Sequence, residues 1–365
     1  MNVQEKITHL QLGWLLFGFI AGFESVFLTE TKLMKQDVWI ANLFNIVAGI
    51  ALLGIITYVQ RQYPNHNLTE ICDKLLGKWL SKVMLSIYLL NNLESASGSF
   101  RAVSMFYTTV ILPKTHSDYL IMVYAACSTY AVYIGLGTLA RSNLVILPLF
   151  LIGFLITCLF IIPEIQTNPF LPQLKSSIPN RVIGSMHLFT FTFSQMITFG
   201  FLMSRVENMK RIFPSCMIAI LLSGLYLIMI SYLTLSSLGF NFVDTSAYPF
   251  FSTIQLVKLG EYLERIEVLL VGLWTVLTMV YMVVMQYVFT LVARHVFGIS
   301  KMKPFVLAIG LLFFAHACKS FIRTADHFTY GTKIYPLSSL IPCVAFPILL
   351  AVMTLIKRKR DNAIS

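Results

Sequence analysis

The stretch ITHLQLGWLLFGFIAGFESVFL, from Ile7 to Leu28, is long and apolar enough to cross a membrane as a single helix. Two glycines in its middle weaken that helix, because each costs about 1 kcal/mol relative to alanine. A helix can unwind at membrane depth only where the freed backbone faces protein or a water-filled cavity. The stretch therefore predicts a helix break with these candidate ligand-binding residues: Gly18, Phe19, Ile20, Ala21 and Gly22. Alternatively, the glycines allow a neighbouring helix to pack closely.

The composition is that of an integral membrane protein. Of the 365 residues, 57% are hydrophobic and only 12% are charged, and the mean hydropathy is +0.77. Soluble domains contain about 25% charged residues. The net charge of +11 is spread over short basic runs between apolar segments, which favours membrane topology over nucleic-acid binding. The six cysteines are dispersed singly, so we expect no disulfide framework, metal site or cofactor.

Apolar segments of about 20 residues predict an all-α membrane protein with ten transmembrane helices. The expected helices span residues 7 to 28, 36 to 58, 82 to 111, 119 to 138, 142 to 162, 182 to 203, 212 to 237, 265 to 292, 304 to 320 and 335 to 356. With the N-terminus inside, sixteen of the 27 lysines and arginines fall on the inner side and ten on the outer side, while Arg101 lies within a helix. Both termini are therefore expected in the cytoplasm.

Ten helices divide into two sets of five with opposite topology, which predicts an inverted repeat within a single transmembrane domain covering residues 1–365. The first repeat would cover residues 1–162 and the second 182–356, followed by a basic cytoplasmic tail over 357–365. Such repeats place the substrate site between broken helices in matching positions, here helices 1 and 6. Helix 6 is rich in polar residues, and its candidate ligand-binding residues are Thr190, Phe193, Ser194 and Gln195. Serine and threonine can instead bond back to their own helix.

Helices 3 and 8 also correspond between the two repeats, and both contain ionisable residues. In helix 3, Glu94 and Arg101 share one face and Asn91 lies just before them. Charges at membrane depth usually face a partner or a cavity. Asn91 and Glu94 are therefore candidate ligand contacts, whereas Arg101 is a structural tie or a gating charge.

Helix 8 begins with the charges Glu264, Arg265 and Glu267, which are candidate structural or gating residues. They follow the longest outer loop, residues 238 to 263, in which a re-entrant or surface helix from Ser252 to Leu263 is expected. Such a loop would cap an outward-facing cavity.

Several motifs resemble those of the endospore germination permease family, the B subunits of GerA-type nutrient germinant receptors. The segment ERIE, Glu264 to Glu267, precedes Trp274. Tyr63 and Pro64 precede LGKW, Leu76 to Trp79. The segment SFRA, Ser99 to Ala102, matches the position of the family's arginine in helix 3, and the basic tail is also typical.

The resemblance covers essentially the whole chain. It implies the fold of the amino acid, polyamine and organocation transporter superfamily, with LeuT-like five-plus-five helices of which helices 1 and 6 are broken. It also implies binding of a small nutrient, commonly an amino acid, and assembly with an A subunit and a lipoprotein C subunit in the spore inner membrane.

Two features depart from the family's pattern. Glu24 lies one turn after the expected break in helix 1, and helix 6 lacks a GxG turn. If Glu24 faced the pocket it would repel a ligand carboxylate, but it would attract an ammonium group. The ligand's identity therefore depends on where this side chain points.

The leading function is a nutrient-binding receptor subunit, and the alternative is an ion-coupled amino-acid transporter. Proton-coupled relatives place a lysine in helix 5, which this chain lacks, while Thr275 and Thr278 offer oxygen ligands for a sodium-like ion. A ligand-gated ion path lined by Glu94 and Arg101 is an intermediate possibility. No HExxH, GxSxG or glycine-rich phosphate motif is present, so we expect no enzymatic activity.

Overall fold

The computed structural model describes residues 6–24, 28–166, 174–256, 266–320 and 324–364, and this part of the chain is almost entirely helical. Its α-helices are α1 (His9–Glu24), α2 (Thr29–Met34), α3 (Val38–Gln62), α4 (Leu68–Leu76), α5 (Lys78–Phe106), α6 (Ser117–Ile134), α7 (Leu136–Ile161), α8 (Ile178–Leu188), α9 (Ile197–Gly200), α10 (Ile212–Thr245), α11 (Pro249–Ile254), α12 (Ile266–Phe297), α13 (Met302–Lys319), α14 (Thr324–Lys333), α15 (Tyr335–Leu340) and α16 (Phe346–Ile364). Three π-helical segments occur at Tyr107–Ile111, Phe189–Phe193 and Ile341–Ala345.

The helices confirm an all-α membrane architecture. Six helical segments within the described ranges are long and apolar enough to cross a membrane: Glu30–Gln62, Leu136–Glu164, Met209–Thr245, Val271–Phe297, Met302–Lys319 and Tyr335–Arg360. The expected helix 3 corresponds to α5, which is long but contains many serines and asparagines. The number of ten spans remains a prediction.

Helix α1 lies at the centre of the molecule, packed mainly against α10 and α12 and also against α7. Its side chains are buried around most of the helix; Leu12, Leu15, Leu16 and Ile20 have no exposed surface. A helix that is apolar all round is suited to this position, because it has no polar face to present to water.

The structure corrects the expected break at residues 18 to 22. Helix α1 passes through Gly18 and Gly22 without interruption and ends at Glu24, and the next helix, α2, begins at Thr29. A β-carbon on Gly22 would lie 2.7 Å from the carbonyl oxygen of Leu277 on α12. The glycine therefore permits close packing of α1 on α12 while the backbone of α1 stays helical.

The segment expected to form helix 6 is irregular, whereas α1 is a regular α-helix. Helix α8 is followed by the π-helical segment Phe189–Phe193, a 3₁₀ turn at Ser194–Met196 and the single turn of α9. The Thr192 hydroxyl donates to the carbonyl of Leu188, four residues before it, at 2.6 Å. Such back-bonding competes with the helical pattern, and π-helical turns are frequent at functional sites.

A carboxylate joins the beginning of α3 to the segment that leads into α8. Asp37 is fully buried and accepts hydrogen bonds from the backbone N–H groups of Leu174 at 2.6 Å and Ser176 at 2.9 Å. The Nε atom of Arg181 lies 3.4 Å from the same carboxylate. We call this group the Asp37 clamp. It fixes the start of α8 relative to α2 and α3.

The surface helix expected from Ser252 to Leu263 is only partly described. Helix α11 covers Pro249–Ile254, earlier than expected because Pro249 favours the first turn of a helix. Residues 257–265 lie outside the described part of the chain.

Candidate functional site

Four polar side chains from four different parts of the chain meet inside the helix bundle. Gln195, in the 3₁₀ turn after α8, donates its Nε2 hydrogens to Ser95 Oγ on α5 at 2.7 Å and to the Tyr335 hydroxyl at the start of α15. Its Oε1 accepts from the hydroxyl of Tyr281 on α12 at 2.9 Å. The hydroxyls of Ser95 and Tyr335 also contact each other. We call these four residues the central polar cluster.

The central polar cluster is removed from solvent. Gln195 is 1% exposed, while Tyr281 and Tyr335 are each 2% exposed. Buried polar groups are tolerated when they are hydrogen-bonded, and here the amide satisfies three hydroxyl groups at once. Four neutral polar groups that bond to one another can recognise a small polar molecule by exchanging their mutual hydrogen bonds for bonds to the ligand.

A second hydrogen-bonded group shares α5 and α12 with the cluster and adds α9. The Tyr88 hydroxyl is 3.0 Å from Thr198 Oγ1 and accepts a 3.2 Å hydrogen bond from Asn92 Nδ2. Both Thr198 and Asn92 also contact the sulfur of Met285. These contacts extend the polar interior from α5 to α9 and α12.

Aromatic rings border the cluster. Phe19 packs on Tyr281 with ring centroids 4.6 Å apart and on Phe199 at 5.2 Å. On another side, Phe191 packs on Tyr335 at 4.4 Å. Helix α1 therefore contacts the central polar cluster through the side chain of Phe19, which packs on Tyr281.

The other residues expected in helix 1 serve packing. A β-carbon on Gly18 would meet Leu147 and Val280, each at 3.3 Å, and Ile20 and Ala21 are completely buried. Of the four ligand-binding residues expected in helix 6, only Gln195 belongs to the central polar cluster, and it lies at its centre.

Of the other helix 6 candidates, Thr190 and Ser194 donate to carbonyls of their own helical turn. Phe193 points away, towards Gly49 on α3. Asn91, expected from helix 3, donates to the Cys343 thiol at 3.4 Å.

The charged residues of helix 3 have partners on other helices. Glu94 Oε1 lies 3.6 Å from His316 Nε2 on α13, and Arg101 lies 3.4 Å from Asp118 at the start of α6. Arg101 also donates to the hydroxyl of Ser117. Arg101 thus ties α5 to α6, which is the structural role among the two alternatives expected from the sequence.

The structure does not describe the side chains of the remaining charged residues that are expected to have structural or gating roles. Glu24 ends α1, but its side chain is not described. Glu264 and Arg265 lie outside the described residues, and Glu267 is described only as part of the backbone of α12.

Sequence reasoning missed Ser95, Tyr281 and Tyr335. Ser95 directly follows Glu94 in a polar stretch of α5, which is the one signal that could have identified it. No local pattern distinguishes Tyr281 and Tyr335 from the other tyrosines of the chain, and only packing brings them to Gln195.

The apolar helices and the fold are those of a multi-pass membrane protein, and solved transporter structures share this fold. MhsT in complex with L-phenylalanine superposes with a TM-score of 0.66 at 13% identity, covering 96% of both chains. MHP1, a nucleobase-cation-symport-1 family transporter in a closed conformation with bromovinylhydantoin bound, gives 0.69 at 12% identity, covering 93% of this chain and 78% of that one. A substrate-bound, outward-open Na⁺-coupled sialic acid symporter gives 0.69 at 9% identity, covering 97% and 93%. At such low sequence identities, these structural similarities establish the LeuT-type fold and nothing about activity.

The chain belongs to the spore germination permease family. A family model described as "Spore germination protein" matches residues 6–324. Spore germination protein KB of Bacillus subtilis (strain 168) is 26% identical over 362 residues, with 94% of each chain covered. Spore germination protein YndE of the same organism is 23% identical over 313 residues, covering 84% of this chain and 85% of the relative. The family is the one that the sequence motifs resemble.

Proposed function

We propose that this chain is the nutrient-binding B subunit of a GerA-type germinant receptor. In this proposal a small nutrient, with an amino acid as the leading candidate, binds at the central polar cluster and triggers spore germination. The observation that supports it most directly is Gln195, whose amide joins α5, α12 and α15 within a protein similar to spore germination proteins.

The proposed architecture has ten transmembrane helices in two inverted repeats, residues 1–162 and 182–356, with a basic tail at 357–365. The similarity to LeuT-type transporters supports this division. The irregular stretch Phe189–Met196 is the proposed break in helix 6. The segment of helix 1 contains α1 and leads to α2, and residues 25–27 between them lie outside the described part of the chain. The protein would lie in the spore inner membrane with both termini in the cytoplasm.

The ligand would contact side chains rather than the backbone of residues 18 to 22. Helix α1 uses the backbone groups of these residues for its own hydrogen bonds, whereas Phe19 presents an aromatic ring next to Tyr281. Gln195 and the two tyrosine hydroxyls can donate to a carboxylate, and the amide oxygen can accept from an ammonium group. Together they fit the two ends of an amino acid.

Binding would act by favouring one arrangement of the bundle. A ligand that takes over the hydrogen bonds of Gln195 changes the contacts among α5, α12 and α15 together, since each supplies one partner of that amide. Only a difference in binding free energy between two states can shift their populations. The shifted bundle would then be sensed by the A subunit and the lipoprotein C subunit.

The test is nutrient-triggered germination of spores that carry Gln195→Leu or Tyr335→Phe. Each change removes hydrogen-bonding groups while keeping most of the side-chain volume. Because a lost hydrogen bond in a buried site is worth about 1–3 kcal/mol, the nutrient concentration for half-maximal germination should rise by about fivefold to a hundredfold.

Ser231→Ala is the matched control, because Ser231 is buried in α10 and donates to Leu227 of its own helix. It should leave the nutrient response unchanged. Immunoblots must show equal amounts of all variants and co-isolation with the A and C subunits. An unchanged nutrient response in both cluster variants would refute the site.

An ion-coupled amino-acid transporter is the second candidate, favoured by the similarity to a Na⁺-coupled symporter. The hydroxyls of Thr275 and Thr278 both donate to carbonyls of their own helix, at 2.7 and 2.9 Å, so these contacts add no support for a sodium site. Sodium- or proton-dependent uptake of a labelled amino acid into proteoliposomes containing only this chain would favour transport over sensing.

A further inference from the structure

We propose that a basic cavity at one end of the molecule binds a phosphate-bearing anion. The cavity is separate from the central polar cluster, although both touch α12. Tyr281 belongs to the cluster and Tyr287 lines the cavity, six residues or about 9 Å further along that helix. Four cations define the cavity: Arg205, Arg294, Lys301 and Lys303.

These four residues come from separate parts of the chain. Arg205 follows α9, Arg294 is in the last turn of α12, and Lys301 and Lys303 begin α13. The turn between α6 and α7, around Gly135, forms the opposite wall. The cavity has a volume of about 870 Å³, which suits a small ligand or a lipid headgroup, and none of the residues lining it is acidic.

Neutral groups hold the cations in place without cancelling their charge. Arg205 donates to the Tyr287 hydroxyl, and its guanidinium lies 5.4 Å from the centre of that ring. Arg294 donates to the carbonyls of Ile299 at 3.3 Å and Ser300 at 3.1 Å. Lys303 Nζ lies 5.1 Å from the centre of the Tyr133 ring.

The nearby carboxylates do not neutralise the cavity. Asp73 is 2.9 Å from His295, the neighbour of Arg294, and is therefore already engaged. Within the described ranges of the chain, none of the four cations forms an ion pair. Four positive charges around one space repel each other, and an anion in that space relieves the repulsion.

The preference of basic residues for cytoplasmic loops explains the side on which these residues lie, but not their convergence. A phosphate group suits the arrangement, since arginine binds it through two N–H groups and lysine as a point charge. Its source is either an anionic phospholipid or a soluble phosphate compound. In both cases the ligand would bridge α12 and α13, because Arg294 and Lys301 lie on either side of the turn between them.

The test uses the purified full-length chain and the double variant Lys301→Gln/Lys303→Gln. The matched control is Lys357→Gln/Lys359→Gln, which removes the same charge from the exposed tail. Native mass spectrometry would measure retention of phosphatidylglycerol against zwitterionic phosphatidylcholine. Thermal stabilisation by inorganic phosphate would be measured in lipid-free detergent, with chloride at the same ionic strength as the reference.

We expect the cavity variant to lose at least about fivefold in affinity for one probe, while the tail variant changes by less than about twofold. Selective retention of phosphatidylglycerol would identify a lipid ligand, and stabilisation by phosphate alone would identify a soluble one. Equal losses in both variants would show general charge attraction and would overturn the proposal. So would the absence of any preference over phosphatidylcholine and chloride.

Discussion

Gly22 shows how one missing side chain determines the position of a helix. The site of its absent β-carbon is 2.7 Å from the Leu277 carbonyl oxygen, so α1 and α12 approach each other along their backbones. This approach brings Phe19, three residues before Gly22, against Tyr281, four residues after Leu277. The glycine thus shapes the candidate site through packing rather than through exposed backbone.

Gly22→Ala should destabilise the protein by about 1–3 kcal/mol, because the added methyl group meets a backbone atom that cannot rotate away. The measurement is reversible unfolding in mixed micelles with sodium dodecyl sulfate. Gly272→Ala on α12 is the control, since a β-carbon there meets nothing within 4 Å. It should be neutral or stabilising, as alanine favours helix. A Gly22→Ala protein as stable as the control would contradict the packing role.

At the scale of elements, the Asp37 clamp and the irregular helix 6 belong to one structural unit. The clamp fixes the beginning of α8, and eleven residues of regular helix follow before the π-helical turn begins at Phe189. Gln195 is reached only after this turn. Helix α8 and the π-helical turn therefore connect the Asp37 clamp to the central polar cluster along the chain.

Asp37→Ala should cost about 3 kcal/mol or more in the same unfolding measurement, because it leaves two backbone N–H groups and Arg181 without their buried acceptor. Asp118→Ala is the comparison. The Asp118 side chain is 45% exposed, so its pair with Arg101 should be worth at most about 1 kcal/mol. Equal effects of the two substitutions would contradict a special role for the clamp.

At the scale of the whole molecule, the distribution of basic residues predicts the orientation in the membrane. The start of α1 lies beside the segment after α9, where Ile7 N–H donates to the Arg205 carbonyl at 3.1 Å. The basic cavity lies at this same end, since Arg205 lines it. The start of α1 and the basic cavity therefore lie at one end of the bundle, which is the proposed cytoplasmic face.

In a Cys127→Ser background, which removes an exposed native thiol, Lys114→Cys should react with a membrane-impermeant maleimide on intact cells. Lys359→Cys should react only after the membrane is permeabilised, because the tail is expected inside. Labelling is read by a gel shift. The reverse pattern would invert the proposed topology.

The amino-acid sequence by itself determined the all-helical membrane architecture, because long apolar runs and scarce charges have few other solutions in lipid. It also placed Gln195 in a candidate site, since helix 6 is rich in polar residues and occupies the position that corresponds to helix 1 in an inverted repeat. It did not determine whether Gly18 and Gly22 unwind or pack, because both outcomes follow from the same small residue. Only the tertiary structure decided that question, by bringing the Leu277 carbonyl against Gly22. It likewise brought Ser95, Tyr281 and Tyr335 to Gln195, across up to 140 positions of sequence, and no local pattern encodes these contacts.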